Sequence, residues 1–328
     1  MSNLESDPVE LVADCTSETD VAAPVIRLQP RDVPLGGPRA MTVRRTLPQR
    51  GRSTIGAWCF VDHYGPDDVT LSGGMVVPPH PHTGLQTVSW LFEGEVEHRD
   101  SAGSHALVRP GELNLMTAGR GISHSEVSTP GTRALHGVQL WIALPERSRQ
   151  QAPHFESHLI PRVDVGGVAV RVFAGSLAGQ DAAAALYSPL LGAQLDLPAW
   201  ESIELEVDPT FELGLLVDAG TVRFEGATLE RWELGYRGPG RRRIRIENPS
   251  EVAARLLLLG GEPLGEQIVM WWNFIGRSHE EIVAFRTQWQ SEVIGGTDAA
   301  GRFGTVAGYD GGPLPAPELP TVRLKPRG

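Results

Sequence analysis

Two short histidine motifs in the sequence have the spacing of metal ligands. The segment HPHTGLQTVSWLFEG places His80 and His82 one residue apart, just before a run of alternating apolar residues. Downstream, TAGRGISHSE gives His124 and Glu126 the same spacing. Side chains at positions i and i+2 of a strand point to the same side, so each pair can converge if its segment is extended. Two such pairs facing each other inside a small barrel would surround one cavity with three imidazoles and one carboxylate.

This ligand set is suited to a borderline transition metal. Three nitrogens and one oxygen fit iron, manganese, nickel, copper or zinc better than calcium. Four protein ligands on one side of an octahedral ion would leave positions open for water, substrate or dioxygen. Each motif alone is more typical of a strand end or a turn, but the two together, with glycine-rich turns between them, favour a metal site.

The segments that carry these motifs are typical of β-strands. Two stretches, LFEGEVEHRDSAG and LVDAGTVRFEGAT, both place a glycine between an apolar run and an alternating run, which indicates a weak internal repeat. A chain of 328 residues with 38 Gly and 26 Pro favours two domains built from short strands.

One helix is predicted in SHEEIVAFRTQWQ, where Ser278 and Glu281 form a capping box. Its apolar face, formed by Ile282, Phe285 and Trp289, is expected to pack on a sheet.

Composition excludes several classes of function. The formal charge is −11, which argues against direct nucleic-acid binding. The one dense basic segment, GRRRIRIEN, alternates arginine with Ile244 and Ile246 and predicts the solvent face of a strand. No apolar run is long enough for a membrane span, and the acidic start lacks the pattern of a signal peptide, so we expect a cytoplasmic protein. The only cysteines, Cys15 and Cys59, cannot form a thiolate zinc site.

The metal motifs and their surroundings resemble a known family. Gly74 followed by HPHTGLQTVSWLFEG resembles the first cupin motif, and HPHTG, RPGELNLMTAGRGISHSE and HGVQLWIALPE in that order resemble the pirin family in particular. The resemblance covers roughly residues 25–310. It implies an all-β fold of two tandem cupin-type (jelly-roll) barrels with a few short helices and a C-terminal helix.

The resemblance also implies a division of the chain. Residues 1–25 would be an acidic, disordered leader and residues 26–150 the metal-binding cupin domain. Residues 151–310 would be a second cupin domain without a metal site, since no H-x-H or H-x-E motif occurs in residues 165–270. Residues 311–328 would be a Pro-rich tail extended over the surface.

In pirins, three histidines and one glutamate bind a single ion, commonly iron. Carried over by motif, these ligands are His80, His82, His124 and Glu126, the same four that the spacing selects. The expected cofactor is one divalent transition metal, Fe(II) first, with Mn, Ni, Cu or Zn as alternatives.

Further polar residues near the motifs could support the ligands or contact a substrate. Gln86 occupies a position where many cupins have glutamate. The other candidates are Asp62, His63, His136 and Gln139. His98 and His105 occur in hairpin or loop contexts and are expected to be solvated.

The resemblance leaves two functions open. Some pirins oxidise quercetin, which implies a metal-dependent dioxygenase acting on a small flavonol-like or other enolic aromatic substrate and dioxygen, with Glu126 as the catalytic base that removes the enol proton. Pirins are also described as regulators, which implies a metal-dependent protein that binds a transcription factor or a metabolic enzyme, with Arg241–Arg245 meeting an acidic partner.

Overall fold

Antiparallel sheets dominate the structure. The computed structural model describes residues 24–35 and 41–326 of the chain. Among these residues, four large sheets form two barrels, each built from one seven-stranded and one four-stranded sheet. The predicted all-β class with two tandem barrels is confirmed.

The first barrel contains the two histidine motifs. Its strands are β2 (Arg31–Leu35), β3 (Met41–Leu47), β4 (Trp58–Asp68), β5 (Val76–His82), β6 (Leu85–Glu93), β7 (Val96–Asp100), β8 (His105–Val108), β9 (Glu112–Thr117), β10 (Ile122–Ser128), β11 (Ala134–Ala143) and β12 (His154–Leu159). The large sheet has the order β12-β9-β6-β11-β4-β3-β2, and the small sheet has the order β5-β10-β7-β8. A single helical turn, α1 (Val69–Ser72), follows β4 and is capped by Asp68.

The second barrel repeats this arrangement. Its strands are β1 (Ile26–Leu28), β13 (Val163–Val165), β14 (Val168–Ala174), β17 (Leu190–Leu197), β18 (Ser202–Glu206), β19 (Glu212–Ala219), β20 (Val222–Phe224), β21 (Ala227–Leu229), β22 (Leu234–Arg237), β23 (Arg243–Glu247) and β24 (Ala254–Gly261). The order is β1-β22-β19-β24-β17-β14-β13 in the large sheet and β18-β23-β20-β21 in the small one. A short hairpin, β15 (Ser176–Leu177) with β16 (Gln180–Asp181), projects beside it.

The two large sheets pack face to face and share one hydrophobic core. This core joins apolar residues of β4, β6, β9 and β11 to residues of β14, β19, β22 and β24. Trp58 crosses the boundary, since its indole Nε1 donates to the carbonyls of Leu191 and Gly260, both at 3.1 Å. Alternation along each strand then leaves the opposite face of each large sheet to line its own barrel.

A C-terminal segment packs against the first barrel. It consists of the hairpin β25 (Val269–Trp271) and β26 (Phe274–Gly276), helix α2 (His279–Trp289) and a π-helical turn, Gln290–Ile294. Ser278 caps α2 as predicted, accepting from the Glu281 amide. The predicted apolar face is also confirmed, since Ile282, Phe285 and Trp289 are buried in an aromatic cluster.

Two strand pairings connect segments on opposite sides of the predicted domain boundaries. Strand β1 pairs with β22 of the second barrel, and β12, beyond residue 150, pairs with β9 of the first. The leader predicted for residues 1–25 falls almost wholly outside the described residues. Within the Pro-rich tail, Leu314 and Leu324 pack with α2.

The basic segment forms a solvent-facing strand, as its alternation predicts. Ile244 and Ile246 of β23 are buried, whereas Arg243 and Arg245 are exposed and form ion pairs with Glu206 and Glu204 of the neighbouring β18. Among the described residues, no helix combines the length and the apolar character needed to cross a membrane.

Candidate metal centre

The histidines of both motifs come together on two adjacent strands of the small sheet. Strands β5 and β10 pair antiparallel, with His124 opposite His80 and Ile122 opposite His82. The turn from β5 into β6 requires a glycine, since Gly84 has φ +68° and a Cβ there would lie 2.5 Å from the carbonyl oxygen of Ile275. This turn sets the last residues of β5 against the C-terminal hairpin.

The three imidazoles face one point in the interior of the first barrel. A set of ring nitrogens, one from each of His80, His82 and His124, lies within 4.8 Å of one another. The ring centroids are 4.3 Å apart for His80 and His124, and 5.0 to 5.1 Å apart for the other two pairs. All three side chains are at most 1% exposed.

Each of these histidines has a partner at Nδ1. For His80 the partner is the Pro78 carbonyl at 2.8 Å, and for His82 it is the Asn273 carbonyl at 3.1 Å. A carbonyl only accepts, so both rings carry hydrogen on Nδ1 and keep Nε2 as the basic nitrogen. In His82 and His124, Nε2 is buried without a hydrogen-bond partner among the described residues. Buried basic nitrogens without a hydrogen-bond partner are suited to bind a metal ion.

Burial keeps these rings neutral. It lowers the pKa of His80 to about 4. The pKa values of His82 and His124 are also held well below their ordinary range, by burial first and then by the neighbouring imidazoles. Because only a neutral imidazole binds a metal, the site is prepared for binding at neutral and mildly acidic pH.

Glu126 lies two residues after His124 on the same strand, β10. Its side chain is buried, and its charge acts on the ring of His80. It is not among the groups that lie within 4.8 Å of one another. The Ser89 hydroxyl of β6 lies 3.3 Å from Glu126 Oε1 and 2.9 Å from Gln139 Oε1. One hydroxyl hydrogen cannot serve both, and turning the Gln139 amide over lets its NH₂ donate to Ser89 while the hydroxyl donates to Glu126.

Two of the additional candidates therefore lie on the interior face. Gln139 of β11 is linked to Glu126 through Ser89. Asp62 of β4 is opposite Gln139 in the sheet, and its carboxylate is held by Arg45 through two bonds of 2.7 and 2.8 Å. Because Arg45 occupies both carboxylate oxygens, Asp62 is placed as part of a buried ion pair in the barrel wall.

Gln86 points away from the metal centre. It is three residues before Ser89 on β6, so the two side chains face opposite sides of the sheet. Its amide nitrogen donates to Thr117 Oγ1 and to the carbonyl of Ala185, which belongs to the second barrel, both at 2.9 Å. The structure thus puts Gln86 in the interface between barrels, where it cannot contact the ligands.

His63 and His136 also lie in this interface. Both Nε2 atoms are 2.6 Å from the same oxygen, Asp218 Oδ1 of β19. These three groups are close enough together to resemble a second metal site. However, 2.6 Å is a hydrogen-bond distance, and both imidazoles donate to one carboxylate oxygen. Burial alone would raise the pKa of Asp218, but the bonds from His136 and His63 outweigh it and hold the pKa well below its ordinary range.

His98 is not solvated as expected, whereas His105 is exposed. His98 is 3% exposed and lies inside the barrel, with Nδ1 3.4 Å from His124 Nδ1 and Nε2 3.1 Å from Asp100 Oδ2. The alternation of Val96, His98 and Asp100 along β7 could have identified this inward face.

The assembled residues fit a transition-metal ion. His80, His82 and His124 supply three neutral nitrogens, and Glu126 supplies a carboxylate within the same enclosure. With a nitrogen-rich set of this kind, a bound divalent ion would act as a Lewis acid toward an oxygen ligand.

Comparison with known proteins agrees with the fold. Family models described as "Pirin" and "Pirin C-terminal cupin domain" match residues 40–142 and 192–295. A Pseudomonas aeruginosa protein named "Putative quercetin 2,3-dioxygenase" is 44% identical over 295 residues, 90% of each chain. A "Pirin-like protein" of Caulobacter vibrioides is 34% identical over 76% of this chain and 88% of its own.

A solved structure extends the likeness to three dimensions. The crystal structure of quercetin 2,3-dioxygenase from Acinetobacter baumannii superposes with a TM-score of 0.84 and 36% identity, covering 92% of this chain and 97% of the other. The first family model falls on the first barrel, and the second covers most of the second barrel together with the C-terminal hairpin and α2. The structural match extends over nearly the whole length of both chains. The chain belongs to the pirin family, and its two barrels are cupin domains.

Proposed function

We propose that this protein is a quercetinase-type dioxygenase that acts on a flavonol-like or other enolic aromatic substrate. The observation that carries the proposal is the convergence of three buried, neutral histidines, with the buried carboxylate of Glu126 on the same strand as His124. His80, His82, His124 and Glu126 would hold one divalent transition metal. Fe(II) is the first choice, with manganese, nickel, copper and zinc as alternatives that the same ligand types accept. The names of the similar Pseudomonas and Acinetobacter proteins support the reaction class.

Glu126 is the base in this proposal. When bound, the metal would supply Lewis acidity that makes an enol hydroxyl of the substrate easier to deprotonate. The Glu126 carboxylate is buried among neutral imidazoles and has Ser89 as a donor to one oxygen. It can therefore take the enol proton on its other oxygen, and Ser89 and Gln139 keep it oriented while it does so.

The three histidines provide positioning rather than proton transfer. Burial keeps their pKa values low, so they do not compete with Glu126 for the substrate proton at neutral pH. Trp141, whose ring centroid is 5.1 Å from that of His82, adds an apolar wall that keeps water from this side of the ligands.

The alternative of a metal-dependent regulator has less support. It relied on Arg241–Arg245 as a cationic surface for an acidic partner. Arg243 and Arg245 are instead paired with Glu206, Glu204 and Glu247 of the same sheet. The charges of these two arginines are largely compensated within the sheet, which weakens the attraction of the segment for an acidic protein.

Quercetin turnover by the Glu126→Gln variant tests the proposal. The protein would be loaded separately with iron, manganese, nickel and copper, with metal content measured for each preparation. We expect turnover with at least one metal in the wild type and a loss of about 100-fold or more in the variant, because general bases typically contribute 10²–10⁴-fold. Glu206→Gln, at an exposed ion pair of the second barrel, is the matched control. Absence of turnover with all four metals, or full activity of metal-loaded Glu126→Gln, would contradict the proposal.

A further inference from the structure

A chain of three side chains leads from the metal centre to the hairpin that joins β7 and β8. Asp100 Oδ2 lies 3.1 Å from His98 Nε2, and His98 Nδ1 lies 3.4 Å from His124 Nδ1. All three residues are at most 3% exposed. His124 differs in this from the other two histidines of the centre, whose Nδ1 atoms are bound by main-chain carbonyls.

The positions of the hydrogens on His98 and His124 follow from Asp100, the member of the series farthest from the metal centre. An ionised carboxylate only accepts, so His98 must carry hydrogen on Nε2 in order to bond to Asp100. With its hydrogen on Nε2, the His98 imidazole has a lone pair on Nδ1 and accepts from His124 Nδ1. His124 must therefore carry its hydrogen on Nδ1, which leaves Nε2 as the nitrogen available to a metal.

Asp100 is held ionised by its surroundings. Its Oδ1 accepts from the backbone amides of Ala102 and Ser104, both at 2.9 Å, in the turn between β7 and β8. Burial alone would raise its pKa, but the bonds from His98 and Ser104 outweigh this effect and lower it. The turn thus fixes Asp100 as the acceptor, and this determines which ring nitrogens of His98 and His124 carry hydrogen.

His98 is equally fixed in orientation. Its ring stacks on Phe155 of β12, with centroids 4.4 Å apart and an interplanar angle of 20°. A stacked ring whose two nitrogens are both engaged cannot turn over without breaking both bonds. This rigidity is what a residue that orients a ligand requires.

We propose that His98, anchored by Asp100, is the positioning residue that holds His124 in the tautomer competent to bind the metal. The inference rests on the proposed metal centre and adds a function for two residues outside its ligand set. Partners of this kind are worth about 10- to 100-fold in metal affinity. Removing the acceptor at His98 should therefore weaken binding without removing any ligand.

Three variants at these two positions separate positioning from packing. His98→Leu keeps much of the volume and removes the acceptor. His98→Asn can return a carbonyl oxygen near the position of Nδ1 and accept from His124. Asp100→Asn keeps the turn but presents an NH₂ to His98, which reverses the tautomers of both rings. His105→Gln, at an exposed histidine of the adjacent strand, is the control.

The measurements are Co(II) affinity, by competition with a chelator, and the tautomer of His124, by ¹⁵N NMR of histidine-labelled, metal-free protein. We expect His98→Leu and Asp100→Asn to lose about 10- to 100-fold in affinity, His98→Asn to recover most of it, and His105→Gln to match the wild type. The spectrum of Asp100→Asn should show hydrogen moved from Nδ1 to Nε2 of His124.

Three results would overturn the inference, and they are distinguishable from one another. If wild-type protein binds no Co(II), the metal centre itself is wrong and the inference fails with it. If the wild type binds Co(II) but His98→Leu and Asp100→Asn bind equally well with His124 unchanged, the metal centre stands and only the positioning role is wrong. Equal losses in His98→Leu and His98→Asn would also count against it, because packing rather than the acceptor would then be responsible.

Discussion

At the scale of single residues, Nδ1 of each histidine in the metal centre is hydrogen-bonded within the protein, which leaves Nε2 for the metal. His80 is held by a carbonyl of its own strand, His82 by a carbonyl of the C-terminal hairpin, and His124 by another imidazole. Three different parts of the chain thus set the same tautomer at three ligands. This convergence from independent sources is stronger support for a metal site than proximity alone, since an unrelated histidine cluster has no reason to expose the same nitrogen each time.

Burial of these ligands predicts a pH dependence of the metal-free protein. The pKa of His80 is about 4 in the folded state and about 6.5 when unfolded, so between these values the unfolded chain binds the extra proton. Stability is therefore complete above about pH 6.5 and falls as the pH drops toward 4. His80 alone would account for about 3 kcal/mol at pH 4, and His82 and His124 act in the same direction. Urea denaturation of metal-free protein at pH 7, 6 and 5 would measure this loss.

A histidine substitution separates this effect from general acid sensitivity. In His80→Asn the decline between pH 7 and pH 5 should be shallower than in the wild type, because one depressed titration is removed. His105→Gln removes an exposed histidine and should leave the slope unchanged. A wild-type stability that is constant from pH 7 to pH 5 would contradict the assignment of these rings as buried and neutral.

The sequence was sufficient to select the four proposed ligands but not their supports. The i, i+2 spacing of His80 with His82, and of His124 with Glu126, carries the information locally. Asn273 and Asp218 are contributed by segments remote in sequence, so no local pattern could assign them to His82 or to His63. The face of β6 could have been read from alternation, which sets Gln86 apart from Ser89.

At the scale of elements, β19 joins the barrels through a buried carboxylate. Asp218 accepts from His63 and His136 across the interface, and Arg255 lies 3.4 Å from its other oxygen. Removing one member of a buried charged network leaves the other members unpaired, which costs about 3–5 kcal/mol. The carboxylate is fully buried, so solvent cannot replace it. Substitution of Asp218 should therefore lower the stability of the protein more than substitution at a surface ion pair.

We expect Asp218→Ala to lower the free energy of unfolding by about 3 kcal/mol or more. Asp196→Ala provides the comparison, because Asp196 lies on β17 of the same sheet, is one-third exposed, and forms ion pairs with Arg171 and Arg255. Pairs of that kind contribute at most about 1 kcal/mol. Both variants would be compared by urea denaturation at pH 7. Similar small losses in the two would show that the His63–Asp218–His136 cluster does not stabilise the interface.

At the scale of the whole molecule, local sequence signals predicted the architecture, whereas strand pairings between distant segments could not be predicted from them. Strand alternation, frequent turns and the weak repeat were enough for two barrels, because these signals are local. The pairings of β1 with β22 and of β12 with β9 connect segments distant in sequence and follow from the packing of complete sheets. For the same reason the Pro-rich tail could not be predicted to dock, although Leu314 donates its amide to the carbonyl of Pro79, next to His80.

These crossings, together with the shared core, predict that the two barrels unfold as one unit. Separating them would expose the apolar faces of both large sheets, and exposed apolar area costs about 25 cal/mol per Å². Trp58 tests the coupling, because Trp58→Phe removes the donor that binds Leu191 and Gly260 and should cost about 1–3 kcal/mol. Hydrogen exchange followed by mass spectrometry at increasing urea concentrations would report each barrel separately. We expect both barrels of the variant to open at the same lowered urea concentration, because the loss of hydrogen bonds at their interface destabilises both. A first barrel that opens early while the second keeps its wild-type midpoint would mean that the barrels fold independently.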